Sequence, residues 1–452
     1  MAADARVRAE GSLRVAVRRL SSQRLISTVS RRFGWGLGDQ AISSLTNYAV
    51  SFYLVHVLGA ADLGAFSLCF VTYGFALNAS RGLATDPLMV RFSGIDIQRW
   101  RRAVGYATGT ALSVGISCGA LVLIAAAIIS GPARGAFFAL GLTLPGAMLQ
   151  DSWRYSFFVL GKGSQAFLND LTWGILLAAG ILALRFTGHT DVFWAVLAWG
   201  ASASVAAALG PLQARVIPKV FGARVWLRQH GDLGFRYLAE GTSGAASYQI
   251  RAYGMSLLLG LTALGYMQAT STLVGPMVIL SAAMSLVLIP EGVRVLQRGP
   301  AELRSFCILV SLGMAAIAAV WTIFLMVSLP RGLGHLLLGQ IWHPTYALVL
   351  PTMLATVAGN ITVGCGVGLH ALASSKRSLN LMLISSVVWV LASLAGGYEW
   401  GVAGALWTSA IVNWIFTVPY WWQFQVALRE YRGASVSVSP IRSKIGRHAR
   451  QR

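Results

Sequence analysis

The sequence predicts an all-α membrane protein of about twelve transmembrane helices, arranged as two six-helix bundles related by a parallel internal repeat. Composition is the first observation behind this. Of 452 residues 56% are hydrophobic and only 11% charged, and the mean hydropathy is +0.65, too apolar for a chain with a water-facing surface. The second observation is a repeat. Leu58-Gly59-x-x-x-Leu63-Gly64 is answered by Leu259-Gly260-x-x-x-Leu264-Gly265, and Gly74 by Gly275, at an offset of 201 residues. Pro87 and Arg91 are answered by Pro290 and Arg294 at offset 203, and Leu144-Pro145 by Leu350-Pro351 at offset 206. Each match alone is weak in a Leu- and Gly-rich chain, but their collinear order and slow drift mark a duplicated half. Charge is the third. About 30 of the 36 Lys and Arg fall between helices on the side holding both termini, against Arg134, Arg185 and Arg331 on the other. Basic segments accumulate in the cytoplasm, so both termini are expected there.

The elements follow in order from apolar stretches of roughly 17 to 25 residues, the length that spans a hydrocarbon core. A basic arm, 1–32, precedes the first stretch at 33–58, which ends on the repeat motif. The second runs over 62–88 and is followed by Arg91, Arg99, Arg101 and Arg102. The third and fourth, 103–130 and 136–160, close on Lys162; the fifth and sixth, 166–186 and 192–212, lead to the basic linker 213–236. The second half repeats the plan at 237–259, 262–288, 305–329, 346–371, 379–394 and 402–424, before the basic tail 425–452. The domain reading is therefore a first bundle at 33–212 and a second at 237–424. Six helices return each half to the side where it began, so the halves share one orientation.

Much chemistry is excluded. Cys69, Cys118, Cys307 and Cys365 all fall within apolar stretches with no Cys-x-x-Cys, and the seven His show no metal-ligand spacing, so neither a metal nor a cofactor is expected. Gly161-Lys162-Gly163-Ser164 lacks the glycine that a phosphate-binding loop needs at position 156, where Ser156 stands. The formal charge of +21 is a topology signal with attraction to anionic lipid, and calls for no nucleic acid. Nor is a nucleophile–base–acid constellation visible, so the chain is not expected to be an enzyme.

An ionisable side chain at the bilayer centre costs about 2.5–3.5 kcal/mol on insertion scales, so each one retained asks for a reason. Asp39, Ser43 and Asn47 form one stripe of the first helix; Glu240, Ser243, Ser247 and Arg251 form one stripe of the seventh. Asp39 falls on Glu240 at offset 201, whereas Arg251 falls on Val50. Glu240 and Arg251 are roughly 16 Å apart along a helix axis, too far to pair. Asp151 and Arg154 are spaced to pair on one face of the fourth helix, and at offset 206 Arg154 meets Asn360. Pro145 and Pro351 each remove a backbone hydrogen bond and are candidate hinges. Arg91 and Arg294 suit headgroup anchoring.

Asn47 in the opening helix, the Val57-Leu58-Gly59-x-x-x-Leu63-Gly64-x-Phe66-Ser67-Leu68 junction, the stretch from Gly82 to Asp86-Pro87 and Arg91, and Arg154 before Gly161-Lys162 resemble the polysaccharide and O-antigen flippases of the multidrug/oligosaccharidyl-lipid/polysaccharide (MOP) flippase superfamily. The resemblance covers 33–424 and rests on Leu-Gly junctions. It implies two six-helix bundles in a V, alternating access, and transfer of a polyprenyl-diphosphate-linked saccharide to the outer leaflet of a bacterial cytoplasmic membrane, with polysaccharide polymerase or ligase machinery as partners. Arg251, Arg81 and Arg154, with Asn47 and Asn360, would hold the anionic headgroup, and Asp39, Glu240 and Asp151 would couple to a proton or sodium gradient or gate the site. Three alternatives stay open: a cation-coupled multidrug antiporter of the same superfamily, a lipid II flippase, whose usual two further helices find no room after Phe424, and a non-transporting membrane scaffold.

Overall fold

The computed structural model describes Trp35, Gly38, Asp39 and residues 41–93, 95–189, 191–372 and 375–448. In chain order its main helices are α1 (41–57), α2 (Ala60–Ser80), α3 (Asp86–Phe92), α4 (Ile97–Ile128), α5 (Pro132–Val159), α6 (Gly163–Thr187), α7 (Val192–Ala214), α8 (Ala223–Arg298), α9 (Pro300–Ser328), α10 (Leu333–Leu338), α11 (Trp342–Ala371) and α12 (Ser375–His448). Two of these are really pairs. Gly260, at φ 80° and ψ 175°, breaks α8, and Trp400 and Gly401 break α12. Among the described residues eight stretches are long and apolar enough to cross a membrane on composition alone, and the two breaks make them ten crossings. With α1 and the more polar α5, which carries Arg134, Asp151 and Arg154, the crossings number twelve. This is a multi-pass, all-helical membrane protein.

The packing accounts for the repeated motif. Gly59 is extended and starts α2, and Gly260 starts the second part of α8 with a positive φ that a side chain would strain. One turn later Gly64 and Gly265 let α2 and α8 cross backbone to backbone. A Cβ on Gly64 would fall 2.7 Å from the carbonyl carbon of Leu261, and one on Gly265 the same 2.7 Å from that of Ala60. Leu63 and Leu264 beside them are buried. Another turn on, Ser67 donates to Gln268 Oε1 at 3.1 Å, between positions 201 residues apart. Where lipid is as apolar as leucine, close approach of small residues is what holds helices together. The same end of the molecule is fastened by His56, whose ring nitrogens contact the carbonyls of Phe52 and of Leu336 in α10.

α4 shows the other face of the rule. Its glycines at 115 and 119 face α5 at Pro145 and Gly141, whereas Leu121, Ile124 and Ile128 are exposed, Leu121 and Ile128 toward an apolar cavity. Pro145 cannot bond the carbonyl of Gly141, and Gly119 brings α4 against that carbonyl.

The stretch expected to end near Leu88 continues to Phe92 through a five-residue π-helical turn, Arg81–Thr85. Pro87 is the cause. It has no N–H for the carbonyl of Leu83, four residues earlier, and the indole of Trp226 donates to that oxygen at 3.1 Å instead. Trp226 belongs to the first part of α8, the segment that joins the halves. It packs with Leu88, Trp100, Trp153 and Phe157 in a buried cluster, while Arg91 reaches Asp232 at 2.6 Å.

Candidate functional site

The π-helical turn carries Arg81 toward α5, since one extra residue rotates what precedes it by roughly 100°. Its guanidinium grips Asp151 with both prongs, Nε to Oδ2 at 2.9 Å and Nη2 to Oδ1 at 2.7 Å, and lies 4.9 Å from the centre of the Tyr155 ring. One turn along α5, Arg154 turns the other way. Its Nε donates to Asp39 Oδ2 at 2.5 Å and stands 3.4 Å from Asp170 Oδ2 in α6. Asp151 and Arg154, spaced to pair with each other, thus serve different partners: a fork at each residue can be filled from neighbouring helices with better geometry than along one helix face.

Polar side chains extend this cluster. Gln150 donates to Asp170 Oδ1 at 2.7 Å and to Asn169 Oδ1 at 3.3 Å. Asn169 donates to the Ala206 carbonyl at 3.0 Å and to Gln213 Oε1 at 3.1 Å, both in α7. Asp39, Asn169 and Asp170 are all but sealed from solvent, at 0%, 0% and 1% exposure. Asp39 Oδ1 and Asp170 Oδ2 accept no hydrogen bond among the described residues. Among the described residues three carboxylates meet two guanidiniums, one formal negative charge in excess, and Asp39 Oδ1 is left without a partner to meet a proton or a small cation. Asp170, Asn169 and Gln213 are not singled out by the sequence. The only signal was an acid one turn inside the apolar stretch 166–186, a position that also suits an interfacial residue.

The second half holds a different site. A cavity of about 880 Å³ opens among both parts of α8, α11 and α12, with Phe70 of α2 at its edge. Ser247, Gln268, Ser271, Thr356, Asn413 and Tyr420 line it beside Arg251. Arg251 has no acidic partner among the described residues. Its Nε donates to Ser393 Oγ at 2.7 Å, its guanidinium stacks 4.6 Å from the centre of the Trp389 ring, and its Nη2 is buried with no hydrogen-bond partner. The structure therefore separates what the sequence grouped: Arg81 and Arg154 stand in one ion cluster and Arg251 in another cavity. Asn360 donates back to Thr356 O at 2.8 Å and accepts from Ser281 at 3.4 Å, near the cavity wall. Asn47 donates back to Ser43 O at 3.0 Å within α1. The side chains of Glu240 and Ser243 lie outside the described residues, as does the arm 1–32.

A second cavity, about 690 Å³, is apolar. It lies between the halves, walled by Phe75, Leu121, Val122, Ile128 and Leu257, and Thr72 and Tyr253 hydrogen-bond across the halves at its side, 2.5 Å apart.

No protein-family model and no curated protein matches the chain by sequence. Solved structures do match its fold. An inward-facing multidrug resistance MATE family transporter of the MOP superfamily is 15% identical with a TM-score of 0.68, over 87% of this chain and 96% of that one. The lipid II flippase MurJ in an inward closed conformation is 12% identical with a TM-score of 0.65, over 86% of each chain. An outward-facing MATE family transporter, 15% identical over 90% of this chain and 96% of its own, superposes less well, with a TM-score of 0.54. The chain thus has the two-bundle fold of MOP superfamily transporters.

Proposed function

We propose that the protein is a flippase that moves an anionic, lipid-linked saccharide across a bacterial cytoplasmic membrane by alternating access, with both termini in the cytoplasm. One observation carries the reading: Arg251 lines the cavity with no acidic partner among the described residues and keeps a buried Nη2 without a hydrogen bond, and a guanidinium so placed suits phosphate oxygens. Serine, threonine and asparagine around it suit sugar hydroxyls, and the apolar cavity between the halves suits a hydrocarbon tail that stays in lipid. A multidrug cation would meet a fixed positive charge here, which disfavours the antiporter reading. The cluster of Asp39, Asp151 and Asp170 around Arg81 and Arg154 is the proposed coupling site, taking a proton or sodium ion on its excess negative charge. Pro145 and Pro351 are the proposed hinges.

Losing one charged hydrogen bond to the headgroup should weaken binding by about 1.5–3 kcal/mol, one to two orders of magnitude. Arg251→Ala should therefore insert normally and abolish most export of the lipid-linked product, and Arg251→Lys, which keeps the charge but not the fork, should restore part of it. The test is to delete the gene, identify the lipid-linked intermediate that accumulates on the inner leaflet, and restore export with each variant. Wild-type export by Arg251→Ala would refute the headgroup site.

A further inference from the structure

A small pocket on the basic face of the first half stands apart from both sites. It encloses about 270 Å³ among the first turn of α4, the α5–α6 loop and the end of α7, and three cations, Arg101, Lys162 and Arg215, line it together with no Asp or Glu. Trp100, Phe157 and Leu160 form its apolar floor. None of the three cations has a carboxylate partner within ion-pair reach among the described residues. Like charges facing a shared hollow repel, and burial of apolar wall around them deepens the field they produce. All three are exposed, so solvent screens them from one another while the hollow between them stays open to an anion.

Arg215 makes the case specific. It caps α7 with φ 53° and ψ 47°, and is the only non-glycine residue with positive φ among the described residues. α6 ends in the same left-handed conformation, but on Gly188, as helices usually do. An arginine in a glycine's place costs backbone strain, so the side chain rather than the turn accounts for it. Lys162, from a Gly-Lys-Gly-Ser loop that cannot be a nucleotide loop, faces the same pocket.

We propose that this pocket binds the phosphate of an anionic phospholipid from the leaflet adjoining the basic face. A phosphate from solution would offer the same oxygens, but the surroundings favour lipid. The pocket sits where spans end, at headgroup depth, and large apolar side chains flank it outward: Leu212 is 76% and Ile217 79% exposed. Such residues give acyl chains a surface beside the phosphate. Gln213 lines the pocket and also accepts from Asn169 of the buried ion cluster, so an occupied pocket holds one end of that network.

The test uses the full chain in mild detergent, followed by thermal unfolding with phosphatidylglycerol, phosphatidylcholine or inorganic phosphate at matched ionic strength. Phosphatidylglycerol should raise the wild-type midpoint by about 2 °C or more, and phosphatidylcholine should not. Lys162→Gln/Arg215→Gln should lose the rise, while Arg134→Gln/Arg185→Gln, which removes the same charge from the opposite face, should keep it. Arg215→Gly guards against a misfolded double variant: it supplies the residue the backbone favours, so it should melt no lower than wild type without lipid and still show a diminished rise. A full rise in Arg215→Gly or in the double variant overturns the site. An equal rise with inorganic phosphate overturns the lipid and leaves a free-anion pocket.

Discussion

The crossing of α2 and α8 can be tested with two methyl groups. Gly64→Ala and Gly265→Ala each drive a Cβ into a backbone carbonyl of the opposite half, Leu261 and Ala60 respectively, with the carbonyl oxygen the nearest atom, and backbone cannot swing aside as a side chain can. Overpacking of this kind costs about 1–3 kcal/mol. The cost falls only on the conformation in which these helices touch, so each variant should shift the population toward the form open at this face by a factor of roughly 5 to 150. The geometry is mirrored between the halves, so the two variants should act almost equally. Cysteine placed at Ser67, whose side chain bonds Gln268 across the crossing, reports the opening: its modification by a membrane-impermeant thiol reagent should accelerate in both variants. Unchanged labelling in folded Gly64→Ala or Gly265→Ala, or rates that differ between the two by more than tenfold, would refute the reading that these two glycines hold the crossing together.

The Arg81–Asp151 fork should behave as a buried pair: Asp151→Leu leaves Arg81 uncompensated and should cost about 3–5 kcal/mol, while Arg81→Leu/Asp151→Leu should recover most of it, as read by a double-mutant cycle in denaturant. Asp39→Asn, which removes a charge but not the bulk, should lower transport more than it lowers the amount of folded protein, measured by export against in-membrane fluorescence. Asp96 caps α4 and accepts from the backbone N–H groups of Arg99 and Gln98. The Arg99 N–H first, and Gln98 N–H with it, hold its carboxyl below the usual carboxylate range. A folded pKa below the unfolded one means that the stabilisation is present above the unfolded value and lost as pH falls through the folded one, so Asp96→Ala should lower the melting temperature at pH 7, by a margin that shrinks as the carboxyl of the wild type is protonated in acid. Cysteine at Phe221, fully exposed on the segment joining the halves, should be protected in intact cells, and cysteine at Gly188 should be labelled.

The helices were legible because their breaks are chemical: Leu58-Gly59 and Leu259-Gly260 stop and restart a helix for backbone reasons that a sequence displays. The expected spans fall within the observed helices to within a few residues at most ends. The apolar stretch ends at Leu88, yet the helix continues to Phe92, because a distant residue, Trp226, satisfies the carbonyl that Pro87 strands. Pairing among charges was hidden for the same reason. Arg154 has Asp151 three residues away, but Asp39 lies 115 residues distant and wins on geometry. Arg251 stood out as a deep cation, but Ser393 and Trp389, which position it, lie 142 and 138 residues on and carry no signal of their own. Long-range polar geometry is a property of packing, and periodicity does not encode it.

The bond between Ser67 and Gln268 bears on descent. In a symmetric dimer a residue near the twofold axis meets its own copy, and any contact between i and j occurs a second time as j with i. This single chain reproduces that signature: Gly64 meets Leu261 as Gly265 meets Ala60, and position 67 meets position 268. A half-length ancestor that paired with itself through this helix leaves such a record once two copies are joined end to end. Residues away from the axis could then diverge half by half, as Arg251 and Val50 have done, while those on it remained tied to their counterparts.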